Sequence, residues 1–248
     1  MNQVFDDSLI QETVNKGLWG LENLSYIPGT VGAVPVQNVG AYGVEVSDII
    51  SQVTVLNCDT KKIEIIDNKN CNFSYRDSFF KTQLGKKSII LEVGFVLSDI
   101  PLPKLSYADL NKKFLNTPPT LELIRQEIIN IRKNKFPDWK TTGTAGSFFK
   151  NPIISLASAQ HLISLYPDLP TYNMFENKVK ILLGYVLDKI CNLRGYKIGK
   201  VSLYENQALV LVAEDKATTE EIIFFAKFVA EEVYKKTTLR ITFEVTVL

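Results

Sequence analysis

The run Gly143-Thr144-Ala145-Gly146-Ser147-Phe148-Phe149-Lys150-Asn151-Pro152 sets two Gly and an Ala before a Ser, then two Phe, a Lys, an Asn and a Pro. Small residues let backbone amides come close to a ligand. The Ser then sits on a tightly placed loop beside a cation and an amide side chain. The same composition also describes a surface turn followed by packed Phe residues, because Gly and Pro mark turns more often than sites. A second candidate is Arg76 in Tyr75-Arg76-Asp77-Ser78. An Arg followed by Asp is either a salt-bridged surface pair or a guanidinium fork placed to grip a carboxylate. A third is Glu244, in a segment where Leu239, Ile241, Phe243, Val245 and Val247 face one way and Arg240, Thr242, Glu244 and Thr246 the other. That alternation by itself turns the Glu244 carboxylate toward solvent.

The elements that must position these groups read as follows. Asp6, Asp7 or Ser8 caps a helix carrying Leu9, Ile10, Val14 and Leu18. Residues 25–43 are dense in Gly and Pro and short of charge, unlike a surface loop of that length. They are expected to bury themselves, either against the core or against a planar aromatic cofactor bordered by the amides of Gly29, Thr30, Gly32 and Gly40. Residues 49–56 and 62–66 form a hairpin turning at 58–61, and residues 88–97 suit a buried strand. Residues 101–119 are irregular, and Tyr107 within them reads more readily as a packing anchor than as a ligand contact. Thr117-Pro118 opens a helix with Ile124, Ile128 and Ile131 on one face and Arg132, Lys133 and Lys135 at its C-terminal end, where cations suit the dipole. Phe136-Pro137 ends it, which sets two domains, residues 1–134 and 135–248.

In the second half, residues 156–166 are helical and 167–173 a loop containing Tyr172. Val179, Leu183, Val186, Leu187 and Ile190 form the stripe of a further helix. Residues 208–213 are a short buried strand, Thr218-Thr219-Glu220-Glu221 is a capping box, and 239–247 is a closing strand. Strands mixed with helices in both halves predict an α/β or α+β protein.

The totals exclude several classes. The chain has 248 residues, a formal charge of +1 and 46% hydrophobic residues, which favours neither nucleic acid nor an anionic membrane surface as partner. No apolar run reaches 18 residues, and the first 17 residues are unlike a signal peptide. Cys58, Cys71 and Cys191 are widely spaced, which suits a reducing cytoplasm and suggests neither a disulfide framework nor a zinc site. His161 is the only His, which argues against a Ser-His triad or a His-rich metal site; it reads as structural.

Gly-Ser-Phe-Phe-Lys-Asn-Pro resembles the most characteristic block of the MurB family, the flavin-dependent UDP-N-acetylenolpyruvoylglucosamine reductases of bacterial cell-wall synthesis. Three more blocks resemble that family in the right order. They are Gly20-Leu21-Glu22-Asn23 continuing through Ile27-Pro28-Gly29-Thr30-Val31-Gly32 to Gln37-Asn38-Val39-Gly40-Ala41-Tyr42-Gly43; Tyr75-Arg76-Asp77-Ser78-Phe79-Phe80-Lys81; and Gln207-Ala208-Leu209-Val210-Leu211. The likeness covers nearly the whole chain. It implies an α+β protein, with the remainder of an FAD-binding domain followed by an α/β substrate-binding domain.

It also implies a reaction. NADPH reduces FAD, and flavin N5 gives hydride to the terminal carbon of UDP-N-acetylglucosamine enolpyruvate. The charge left on the adjacent carbon, delocalised into the carboxylate, needs stabilisation and a proton donor. By resemblance, Ser147 donates that proton, Arg76 holds the carboxylate and Glu244 completes the site. Their distance in sequence is what a site formed between domains would give. Lys135, Asn151, Tyr107, Tyr172 and Gln207 fall on positions the family uses for the UDP-sugar. Ile27, Pro28, Gly29, Thr30, Gly32, Ala33, Gln37, Asn38, Gly40, Ala41 and Tyr42 fall on the flavin-facing stretch. A cytoplasmic monomer without a metal is expected.

Three departures accompany the likeness. No counterpart of the family's N-terminal lobe precedes residue 1. Thr144 stands where the family usually has Asn. Thr242-Phe243-Glu244-Val245-Thr246 replaces Glu-Pro-Glu-Val-Arg, and the family's C-terminal tail has no counterpart. Two readings therefore stand: a reductase in shortened form, or a non-catalytic remnant that binds UDP-sugar but not FAD.

Overall fold

A computed structural model describes residues 7–247, in two compact units, Met1–Arg132 and Lys133–Leu248. Asp6, one of the expected helix caps, lies outside the described residues.

The first unit opens with α1 (Asp7–Asn15), whose inner face buries Ile10 and Val14. Gly17 takes φ 73°, and the Leu18 N–H returns to the Thr13 carbonyl, so the helix stops before Leu18 joins its stripe. The Gly- and Pro-rich stretch at residues 25–43 is mostly irregular. It ends in two short antiparallel strands, β1 (Gly40–Ala41) and β2 (Val44–Glu45). The main sheet is antiparallel, with β3 (Ile50–Asn57) between β4 (Ile63–Asp67) and β5 (Ser88–Phe95). The expected hairpin forms. Asn57 Oδ1 accepts the N–H groups of Asp59 and Thr60, and Lys61 supplies the positive φ of 56°.

Val53 and Val55 of the central strand are fully buried among side chains of α1 and of α3 (Leu121–Lys135). The expectation of a buried strand over 88–97 is corrected. β5 is an edge strand with Ile89 and Leu91 exposed, because only one face of this sheet is covered. A short helix, α2 (Ala108–Lys113), interrupts the stretch read as irregular. α3 starts later than Thr117-Pro118 suggested: Thr120 Oγ1 accepts the Leu123 N–H, so Thr120 is the cap.

The second unit holds two antiparallel sheets and three helices of differing length. β6 (Gly143–Ser147) lies at one edge of a sheet that continues through three strands from later in the chain. β7 (Ile153–Ser155) and α4 (Leu156–Leu165) follow, then β8 (Thr171–Asn173), β9 (Lys178–Ile181) and the short α5 (Leu183–Tyr185), which runs into a π turn at Val186–Ile190. β10 (Lys197–Ile198), β11 (Val201–Leu203), β12 (Val210–Ala213) and α6 (Thr219–Thr237) complete it. The sheet orders are β10-β11-β12-β6 and β7-β9-β8. α6 opens on the expected capping box: Glu221 N–H donates to Thr218 Oγ1, and Thr218 N–H donates to Glu221 Oε2.

Three expectations are corrected here. Tyr172 lies on a strand rather than in a loop. Val179 belongs to β9, where Val179 and Ile181 are buried two residues apart in strand period; its four-residue spacing to Leu183 straddles a strand-to-helix junction. Residues 239–247 form no ladder. One isolated bridge, Phe149 with Phe243, is all that pairs. Its partner segment reaches Pro152 three residues on, and Pro has no N–H to extend a ladder. His161 stands on the exposed face of α4.

Candidate active site

In the first unit, Arg76 is the third residue of a tight turn. Ser74 and Asp77 exchange backbone hydrogen bonds of 3.0 and 3.1 Å, and Arg76 takes φ 55°. A left-handed conformation at a long side chain costs of order 1–2 kcal/mol and marks a functional candidate. The turn sends the guanidinium to the Gly40 carbonyl, and Lys81 Nζ holds the Arg76 carbonyl at 2.9 Å. Gly40 is required there. A Cβ on it would sit 2.8 Å from Glu45 Cγ and 3.0 Å from both Arg76 Nη1 and the Val44 carbonyl. The structure thus brings Arg76 onto the Gly- and Pro-rich stretch at residues 25–43.

That stretch is only partly buried. Pro28, Gly29 and Ala33 are exposed, and Ile27, Thr30, Gly32, Gln37 and Ala41 are half-buried. Among the described residues, the N–H groups of Gly29 and Thr30 have no backbone or side-chain acceptor. A Cβ on Gly29 would meet nothing within 4 Å. Unspent amides beside an open apolar edge fit the rim of a flavin ring. Asn38 differs from its neighbours. It is buried, and its side chain bonds Glu45, the Ser74 carbonyl and the Ser47 N–H, so it braces the stretch from behind.

Tyr42 and Tyr107 meet edge-on at 4.9 Å, and Asn23 Nδ2 ties the Tyr42 carbonyl (2.8 Å) to the Lys104 carbonyl (2.9 Å). Tyr107 is therefore packed beside the 25–43 stretch. Arg132 clamps the same stretch from α3. Its Nε donates to the Tyr26 carbonyl at 2.8 Å, and its guanidinium also hydrogen-bonds the Tyr42 side chain. Burial pulls the Arg132 pKa down, and the Tyr42 contact opposes that. The sequence places Arg132 among the cations at the C-terminal end of the helix, where they suit the dipole, and gives it no further part. Its spacing gave the signal. Arg132 continues the buried series Leu121, Ile124, Arg125, Ile128, Ile131 and so lies on the apolar stripe.

Arg132→Met is expected to cost about 2–3 kcal/mol in urea unfolding, because it strips charged donors from two groups of which the backbone carbonyl has no rotamer of escape. Arg132→Lys is expected to recover only part, since one ammonium cannot serve both acceptors with a planar fork. A Met variant as stable as wild type would show the clamp to be idle.

In the second unit, Ser147 ends β6, opposite Val210. The next residue joins two backbone segments: Phe148 N–H donates to the Leu209 carbonyl (3.0 Å), and Glu244 N–H donates to the Phe148 carbonyl (2.9 Å). The Glu244 backbone is thereby held one residue from Ser147 along the chain, and Glu244 is half-buried rather than turned fully to solvent. Asn151 Oδ1 accepts the Leu183 N–H at 2.9 Å, and Gln207 Oε1 accepts the Leu209 N–H at 3.4 Å. Both amide oxygens are so occupied, which directs their NH2 ends elsewhere. Tyr172 pairs with Lys180 across β8 and β9, with Lys180 Nζ 5.6 Å from the ring centroid. Lys135 is half-buried at the end of α3.

Residues 138–248 match the family model for the UDP-N-acetylenolpyruvoylglucosamine reductase C-terminal domain, and residues 4–65 match that for an FAD binding domain. A UDP-N-acetylenolpyruvoylglucosamine reductase of Buchnera aphidicola is 42% identical over 98% of this chain and 72% of its own length. The chain belongs to the UDP-N-acetylenolpyruvoylglucosamine reductase family. The reductase of Bdellovibrio bacteriovorus is also 42% identical, over 94% of this chain and 69% of its own. The crystal structure of MurB from Thermus caldophilus aligns with a TM-score of 0.67 over 99% of this chain and 74% of that one; at 21% identity this likeness is one of fold. The reductase family's FAD-binding and substrate-binding architecture is thus the architecture of this α+β chain. Among the described residues no helix is long and apolar enough to cross a membrane, and no group of His, Cys, Asp and Glu is placed to hold a metal.

Proposed function

We propose that the protein reduces the enolpyruvyl double bond of UDP-N-acetylglucosamine enolpyruvate, with FAD as its flavin and NADPH as reductant. The observation that carries this reading is the state of the Ser147 hydroxyl. It is half-buried, one residue from the carbonyl that anchors Glu244, and among the described residues its Oγ has no hydrogen-bond partner. A hydroxyl not spent on structure is one that can serve a substrate.

FAD, when bound along residues 27–42, supplies the hydride. Ser147 then delivers the proton to the carbon beside the carboxylate; that carbon is a strong base at that moment, so placement of the donor outweighs its acidity. Arg76 neutralises the substrate carboxylate as negative charge moves into it, and Glu244 completes the site beside the enol ether. Lys135, Asn151, Tyr107, Tyr172 and Gln207 are assigned to the UDP-sugar. A cation, amide donors and two aromatic rings suit a pyrophosphate flanked by a base and a sugar.

The deciding experiment is a titration of the purified protein with FAD, followed by NADPH and the enolpyruvyl substrate. A yellow protein that oxidises one NADPH per substrate is expected. A colourless protein that binds the nucleotide sugar without flavin would instead establish the non-catalytic reading.

A further inference from the structure

We propose that Thr144 is the residue that positions the Ser147 hydroxyl, by bridging the backbone of a β-bulge that aims Ser147. This rests on the reductase reading above. β6 and β12 pair Thr144 with Val212 and Ser147 with Val210, so a single residue, Leu211, faces two, Ala145 and Gly146. Such a bulge disrupts the ladder and redirects the side chain that follows it.

The bulge has nowhere else to relax. A Cβ on Gly143 would lie 2.9 Å from the Ala213 carbonyl, so the strand before the bulge is pressed tightly on β12. After it, Val210 and the Phe148 N–H on the Leu209 carbonyl fix the far side. The extra residue is absorbed at Gly146, which takes φ 76°. Thr144 Oγ1 spans the opening. It donates to the Leu211 carbonyl at 2.8 Å and accepts the Gly146 N–H at 3.1 Å. One hydroxyl can do both, since it carries one donor and two acceptor lone pairs. A β-branched side chain holds χ1 stiffly, so the bridge is preset. The adjacent hydroxyls thus divide the work: Thr144 is consumed by the backbone, and Ser147 is held in place by it.

Thr144→Val keeps the shape and removes the bridge; Thr144→Ser keeps the bridge. For Thr144→Val, reduction of the enolpyruvyl substrate is expected to slow about 10- to 100-fold. KM for the sugar nucleotide and the rate of flavin reduction by NADPH should hold. Thr144→Ser should restore turnover to within a few-fold of wild type. Wild-type turnover in Thr144→Val, or equal losses in the Val and Ser variants, would overturn the assignment. Amide exchange at Gly146 reads the bridge without any turnover. Faster exchange in Thr144→Val but not in Thr144→Ser is expected, and unchanged protection in the Val variant would overturn the bridge even if the protein proved not to be a reductase.

Discussion

Replacing Ser147 by Ala leaves reduction of bound flavin by NADPH at its original rate and slows reduction of the enolpyruvyl substrate by roughly 10²–10⁴-fold, the span of a lost general acid. The substitution is a clean one. Ser147 pairs with Val210 through its backbone, which Ala retains, and its Oγ has no partner among the described residues. Stability should therefore stay within about 0.5 kcal/mol of wild type. Stopped-flow measurement of the two half-reactions checks the claim. A loss shared equally by both half-reactions would point to damaged flavin binding and would remove Ser147 from the donor role. The contrast with Thr144 sharpens the test. Both residues carry hydroxyls on one strand, yet only Thr144 uses its hydroxyl to hold backbone.

Truncating Phe149 to Ala should cost about 3–5 kcal/mol of stability, the range for emptying a fully buried aromatic site. Phe149 is 0% exposed and sits in a trio with Phe148 and Phe243, at centroid distances of 5.3 and 5.6 Å, with Phe148 and Phe243 themselves 5.2 Å apart. All three pairs are edge-on, the geometry that adds about 0.5–1.5 kcal/mol beyond burial. The trio also has a functional consequence. Among the described residues, Phe149 and Phe243 form the one bridge that pairs the closing segment with the region after Ser147. Loosening it should free Glu244, so the variant is expected to lose activity even below its unfolding midpoint. Urea denaturation followed by far-UV circular dichroism measures the first effect. Phe175, 92% exposed, provides the control: its Ala variant should change stability by no more than about 0.5 kcal/mol. A Phe149→Ala cost below about 1 kcal/mol would show that the trio is not what holds the closing segment.

Much of this protein follows from short-range pattern. The hairpin at 58–61 and the capping box at Thr218 are written in residues within a few positions of one another. Propensity and local hydrogen bonds decide such features, so they could be read directly. The small residues before Ser147, read as a loop, instead form the edge strand β6 by pairing with β12. The roles proposed for Ser147, Arg76 and Glu244 came from resemblance of motifs, since residue types alone left each of them open between a structural and a chemical use. The errors came where local pattern is ambiguous. Val179 and Leu183 are spaced as one helix would space them, and only pairing with β7 and β8 makes Val179 part of a strand. The alternation over 239–247 promised a strand, but a strand needs a partner of equal length, and the segment after Phe149 cannot offer one.

What only tertiary structure decided is how each polar group is employed. The Thr144 hydroxyl reaches a carbonyl 67 residues away, and the Arg132 guanidinium one 106 residues away. No spacing rule encodes those partners, because they exist only once distant segments have packed. Sequence alone determined which chemical groups are present and which local turns carry them. Folding determined which of those groups are consumed in holding backbone and which remain for a substrate, since a buried polar atom must take whatever partner the packing brings to it.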